Sequence, residues 1–168
     1  MEMEPWEVWV RGTALHAFIH QYELRLWPIM QSLHILGFTL LLGTVGFFDL
    51  RALGLAKGIP LKAIHRLIPF GVAGYIGNFL LGIVFFSGHP EQYFYNDAFR
   101  LKLMFMAVAG ANILLFYGTG AFEQVKTLPA DADVPLRIKL IAGVSLCAWV
   151  AVLVCGRLIT FNRPPFFH

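Results

Sequence analysis

The 168-residue sequence predicts an all-α fold: an integral membrane four-helix bundle with an N-terminal interfacial amphipathic helix. Three observations carry that prediction. Hydrophobic residues make up 58% of the chain and charged residues only 14%, against roughly a quarter charged in a soluble domain, which excludes a water-clothed globule. Four stretches, 28–48, 67–88, 103–122 and 140–161, are free or nearly free of charge, and each has about the 20 residues that a helix needs to cross a bilayer. Those spans and their linkers use up the length, so 1–168 reads as a single transmembrane domain without a separate catalytic head.

Segment 6–27 mixes Trp6, Trp9, Phe18, Tyr22 and Trp27 with Glu7, Arg11, His16, His20, Glu23 and Arg25. Such a mixture suits a helix lying at headgroup level with Trp as its anchor. Pro28 then fits the first turn of the first span, where a missing N–H costs nothing. The acidic start, Met1-Glu2-Met3-Glu4, lacks the basic residues of a cleavable signal. Arg157, near the end of the fourth span, is long enough to snorkel to the headgroups. Cys147 and Cys155 stand eight residues apart in one helix, about 12 Å at 1.5 Å per residue, too far for a disulfide.

The net charge of +3 does not come from a patch. Basic residues sit singly at segment ends, which argues against nucleic acid as a partner and in favour of topology signals. The first and third linkers hold Arg51, Lys57, Lys62, Arg66, Lys126, Arg137 and Lys139, seven in all, against six on the other face, namely Arg11, Arg25, Arg100, Lys102, Arg157 and Arg163. By the positive-inside rule both termini face outward.

The chain has no phosphate-cradling glycine loop, paired-cysteine zinc motif or nucleophile elbow, and no Asp or Glu within the four stretches. Histidine is what remains for chemistry. His34 lies six residues into the first span, with Gln31 and Gly37 on its face, and a polar ring at that depth needs a partner inside the bundle. His16 and His20 are spaced i,i+4, which places both imidazoles on one helix face at a separation a metal can bridge. His16, His20, His89 and His168 share the membrane face of His34, while His65 and Tyr117 share the opposite one. Each of these histidines equally suits a plain structural or surface role. Gly71, Gly74, Asn78 and Gly82 form a small-residue stripe on span two, and Ala107, Gly110, Ala111 and Gly118 another on span three, fit for close helix packing or for admitting a flat cofactor edge. Asn78 and Asn112 are expected to hydrogen-bond between helices, and Tyr75, Tyr117 and Trp149 to pack or to line a cofactor.

The run Leu26-Trp27-Pro28-Ile29-Met30-Gln31-Ser32-Leu33-His34-Ile35-Leu36-Gly37, with Phe48-Asp49-Leu50-Arg51 and Asn96-Asp97-Ala98-Phe99-Arg100 after it, resembles an uncharacterised family of small four-helix bacterial inner-membrane proteins. That family is more distantly similar to CopD-like copper-resistance proteins and to four-helix b-type cytochromes. The resemblance implies the bacterial inner membrane and a haem or copper centre. In the family span three tends to end in Phe-His, whereas this chain has Phe116-Tyr117, which removes one candidate ligand.

Three functions follow as expectations. In the first the chain is an electron-transfer subunit of a bioenergetic complex, with haem b ligated by His34 and by His20 or His16, Arg25, Arg100 and Lys102 near the propionates, and quinol as lipid-soluble partner. In the second it is a non-catalytic accessory subunit that meets other membrane-protein subunits and the lipid bilayer through its 16 Phe. In the third it binds copper through His16, His20, His34 and Met30.

Overall fold

The computed structural model describes residues 4–161; Arg163 and His168 lie outside them. Among the described residues the chain is helical without strands, and four helical stretches are long and apolar enough to cross a membrane, Ala14–Ala52, Leu61–Gly88, Asp97–Gly118 and Leu136–Leu158. The protein is an all-α membrane-embedded bundle. Its outer surface is correspondingly apolar, with Leu114 75%, Leu140 63% and Ile35 61% exposed, side chains that meet lipid where a soluble bundle would place polar ones.

A short helix α1 (Pro5–Arg11) opens the described chain. Its first turn is closed by a capping box in which Glu4 N donates to Glu7 Oε2 at 3.0 Å. Helix α2 (Ala14–Leu41) follows, capped by Thr13 Oγ1, which accepts from His16 N. It runs straight through Pro28. The expected boundary between an interfacial helix at 6–27 and a span at 28–48 is therefore corrected: residues 14–27 are the first half of the spanning helix, and only Pro5–Arg11 stands apart. A proline inside a helix leaves the carbonyl four residues back without its donor. Membrane helices tolerate such a proline, and α2 continues unbroken from Ala14 to Leu41.

A π turn (Leu42–Gly46) continues α2 into α3 (Phe47–Ala52). The composite stretch has 39 residues, about 58 Å at 1.5 Å per residue, nearly twice a hydrocarbon core of about 30 Å. Its polar first turns thus project beyond the apolar layer. Helices α4 (Leu61–His65) and α5 (Ile68–Gly88) form the second crossing, α6 (Pro90–Phe94) the connection, α7 (Asp97–Gly118) the third crossing, α8 (Ala121–Thr127) its linker and α9 (Leu136–Leu158) the fourth. Span three was expected to reach residue 122. It stops at Gly118 because Gly120, at φ 71°, takes the left-handed conformation that ends a helix.

The bundle is two antiparallel pairs. In the first, α2 lies on α5 through glycines: a Cβ on Gly74 would stand 2.5 Å from Gly37 O, so the backbones approach as only glycine permits. The span-two stripe thus serves packing at Gly71 and Gly74, while Gly82 has open space beside it. In the second pair, α7 lies on α9 through buried Ala109, Ala142 and Ala148, with Asn112 Nδ2 donating to Ile141 O at 2.9 Å. The span-three stripe does not pack: Ala107, Ala111 and Gly118 are exposed, and the buried small residue is Ala109, two positions from Ala107 and Ala111. The pairs join at one end through α3 against α9. At the other end, within the second pair, Asn96 Nδ2 donates to Ile159 O past the end of α9 and Asn96 Oδ1 caps α7 at Ala98 N, both at 3.0 Å.

Arg51 locks the first end. Only 1% exposed, it donates from Nε to Ile59 O at 2.8 Å and from its terminal nitrogen to Ala130 O, tying both linkers to α3. Charge-assisted bonds of this kind are roughly twice as strong as neutral ones.

Candidate functional site: a divided cleft between the helix pairs

Between the pairs runs a cleft divided by Tyr75 of α5 and Trp149 of α9, whose rings meet edge to face at 5.8 Å. On one side of this partition lies a cavity of about 230 Å³ lined by His34, Phe38, Asn78, Phe86, Phe99, Lys102 and Met106. On the other lies a cavity of about 210 Å³ lined by Asp49, His65, Asn112, Phe116, Tyr117 and Ser145. Leu41, Tyr75, Met106 and Trp149 line both.

The first cavity is apolar except at a few atoms. His34 points into the bundle, with Phe85 edge-on to its ring at 5.7 Å. His34 Nδ1, Asn78 Nδ2, Asn78 Oδ1 and Trp149 Nε1 are buried and have no hydrogen-bond partner among the described residues. Lys102, whose Nζ lies near Gly156, adds a cation at the rim. An unsatisfied buried polar group costs about 1–3 kcal/mol, so these atoms call for a partner, whether ordered water or a ligand. Gln31, expected to share this face, is exposed, and among the described residues Asn78 makes none of the expected interhelical bonds, unlike Asn112.

The second cavity contains a carboxylate that the sequence reading left outside the spans. Asp49 is 4% exposed, because α3 continues the first spanning helix past residue 48 and turns Asp49 inward. Ser145 lies within hydrogen-bonding reach of it, and its Oδ2 is without a partner among the described residues. The signal was present in Phe48-Asp49-Leu50-Arg51, where apolar residues alternate with charges that a solvated linker would not need to space so closely. His65 and Tyr117, expected on one face, meet directly: His65 Nε2 is 2.8 Å from the Tyr117 hydroxyl, and Phe122 covers the imidazole at 4.0 Å.

His16 and His20 do share a face, their ring centroids 4.4 Å apart, and His89 joins them at 5.5 Å from His20. None of them approaches His34. His20 and His34 stand 14 residues apart on one unbroken helix, about 21 Å at 1.5 Å per residue, and His16 is a further turn away. Two axial ligands must both bond one iron, so the haem ligand set of His34 with His20 or His16, and likewise one copper ion shared by them, does not fit this fold. The expected pairing relied on an interfacial helix folding back at Pro28. Arg25 and Arg100 are exposed, Arg100 lying 3.7 Å from Asp97, and only Lys102 of the expected cations reaches the cavity. Met30 is buried on α2 but is not on the wall of the His34 cavity. Outside the spans, burial pushes the Tyr93 hydroxyl up to about 12, so it remains a neutral donor.

No family model, curated protein or solved structure matches the chain.

Proposed function

We propose that the protein is a quinol-linked electron-transfer subunit of a bioenergetic complex in the bacterial inner membrane, and that it binds the quinol head in the His34 cavity. One observation carries this reading: His34, Asn78 and Trp149 line a largely apolar cavity between the spanning helices, and His34 Nδ1, the Asn78 amide and Trp149 Nε1 are buried with no hydrogen-bond partner among the described residues. A quinone or quinol has an apolar body that reaches such a site through lipid and two oxygens that accept or donate hydrogen bonds. Trp149 can only donate, Asn78 can do both, and a neutral imidazole donates or accepts at Nδ1 according to its tautomer. The chain binds and orients the head, and a redox subunit of the complex takes the electrons. The resemblance to small inner-membrane proteins supports the location, and the basic linkers support an orientation with both termini outside.

Haem b finds one imidazole here. Met106 and Tyr75, on the same wall, are the other side chains there of types known to ligate haem iron. A reduced-minus-oxidised spectrum of the purified protein decides between the two: quinone in the lipid extract without a b-type band supports the proposal, and a stoichiometric b-type band lost in His34→Leu replaces it with the haem reading. The exposed small residues of α7, Ala107, Ala111 and Gly118, together with the lipid-facing aromatics, favour contact with a partner subunit. If neither quinone nor haem is retained and the protein copurifies with a membrane complex, the accessory-subunit reading takes its place.

A further inference from the structure

The end of the bundle that carries α1 and α6 holds a second polar cluster, unconnected with the His34 cavity. His16 and His20 come from adjacent turns of α2, Glu23 from the next, and His89 from the junction of α5 and α6. His16 and His89 each have one ring nitrogen hydrogen-bonded to an oxygen, and His20 has a carboxylate oxygen beside one. His16 Nδ1 is 2.7 Å from Ser87 O, His20 Nδ1 is 3.5 Å from Glu23 Oε2, and His89 Nε2 is 2.9 Å from Glu23 Oε1. Trp27 lies edge-on to the His89 ring at 5.2 Å.

This pattern has a specific chemical meaning. A histidine that binds a metal through one nitrogen almost always donates its other N–H to a carboxylate or backbone carbonyl, which fixes the tautomer and aims the ring. With His16 Nδ1 and His89 Nε2 donating to these acceptors, His16 Nε2 and His89 Nδ1 are the nitrogens left for a metal, and Glu23 beside His20 Nδ1 leaves His20 Nε2 in the same position. Glu23 orients two of the three rings at once. With metal–nitrogen bonds of about 2.0–2.1 Å and tetrahedral angles, rings bound to one ion have centroids about 5 Å apart. The His16–His20 and His20–His89 separations of 4.4 Å and 5.5 Å bracket that value, which leaves His16 and His89 as the one pair for the ion to draw together.

We infer that His16, His20 and His89 form a three-imidazole site for a divalent transition metal of the zinc type, with Glu23 as the carboxylate that orients His20 and His89. Three imidazoles leave a fourth, tetrahedral position for water or a partner's side chain. Among the described residues no three such side chains already stand converged on a metal position, so the ion completes the site by drawing His89 toward His16. His89 sits between two helices in a non-helical conformation, φ −136° and ψ 68°, so it comes from a junction and not from a rigid helix face, while His16 and His20 are held on α2. All three rings are partly exposed, so an ion reaches them from water without crossing the apolar layer. Binding would pin the α5–α6 junction to the projecting first turns of α2.

The test uses the purified full-length chain in detergent, stripped with chelator, and titrated with Zn²⁺ by calorimetry and with Co²⁺ by visible absorption. The expected result is one ion per chain and a tetrahedral-type Co²⁺ spectrum. His16→Ala, His20→Ala and His89→Ala should each weaken binding by at least tenfold. Glu23→Gln should weaken it about 10–100-fold, as for other carboxylates that orient a ligand. His34→Leu and His168→Ala should leave it unchanged, which keeps this outcome separate from that of the quinol site. Unchanged far-ultraviolet dichroism and melting of the metal-free variants show that the fold persists. The inference is overturned if the parent chain binds no Zn²⁺, if His89→Ala binds as the parent does, or if affinity is lost only with His34 or His168.

Discussion

Replacing Gly74 by Ala should destabilise the bundle, whereas the same replacement three residues later, at Gly77, should not. The added Cβ at position 74 would lie 2.5 Å from Gly37 O and 3.1 Å from Leu40 Cβ, while at position 77 nothing lies within 4 Å. Both residues are interior to α5, so both gain the same helix propensity, about 0.8–1.0 kcal/mol for Ala over Gly. That gain cancels in the comparison and isolates the steric cost. The obstructing atom at Gly74 is a backbone carbonyl that cannot swing aside, so α2 and α5 must separate. Overpacking of a well-filled contact costs about 1–3 kcal/mol, and the two variants should differ by about that much. Reversible unfolding in mixed micelles, followed by helical dichroism, measures it. Equal stabilities, or a Gly77→Ala variant weaker than Gly74→Ala, would refute the glycine-mediated pairing of α2 with α5.

Arg51→Met should cost at least about 3 kcal/mol, since two charge-assisted bonds to Ile59 O and Ala130 O are lost at about 1.5–3 kcal/mol each; faster proteolysis within both linkers would accompany it. Tyr117→Phe should lower stability by only about 0.5–1.5 kcal/mol, the worth of one neutral hydrogen bond to the partly exposed His65, measurable in the same unfolding assay. Lys139 binds both oxygens of Asp133 at 2.9 Å and holds its carboxyl below the usual carboxylate range. A depressed folded-state value means that the pairing is complete above the ordinary pKa of about 4 and fades as pH falls below it. Protease sensitivity of the 128–135 linker should therefore rise below about pH 4 in the parent and show no such step in Asp133→Asn.

The sequence made the fold class and the order of the four spans legible because lipid imposes length and apolarity on each crossing, and both are one-dimensional properties. Boundaries were less legible. Pro28 has the chemistry of a helix start, yet the structure keeps it inside α2, since a membrane helix can re-satisfy the freed carbonyl and a hydropathy pattern does not register that. Asp49 lay one residue beyond an apolar stretch and so passed as linker, although the helix carries on and buries it. The interior orientation of His34 followed from the cost of an unpaired ring in lipid. Its distance from His16 and His20 did not, because it depends on whether the chain bends at residue 28. His89 was placed on the correct face, but its proximity to His20 and Glu23 arises from a contact across 66 residues of sequence, which no local pattern encodes.

The central claim is that the His34 cavity receives a quinol head, and fluorescence titration with a short-chain quinol analogue tests it most directly. Trp149 borders the cavity, so the account predicts saturable, one-to-one quenching in the parent, loss of most of that signal in Trp149→Phe, and at least tenfold weaker binding in His34→Leu and Asn78→Leu at unchanged helicity. Quenching that does not saturate, or that saturates equally in His34→Leu and Asn78→Leu, would contradict it.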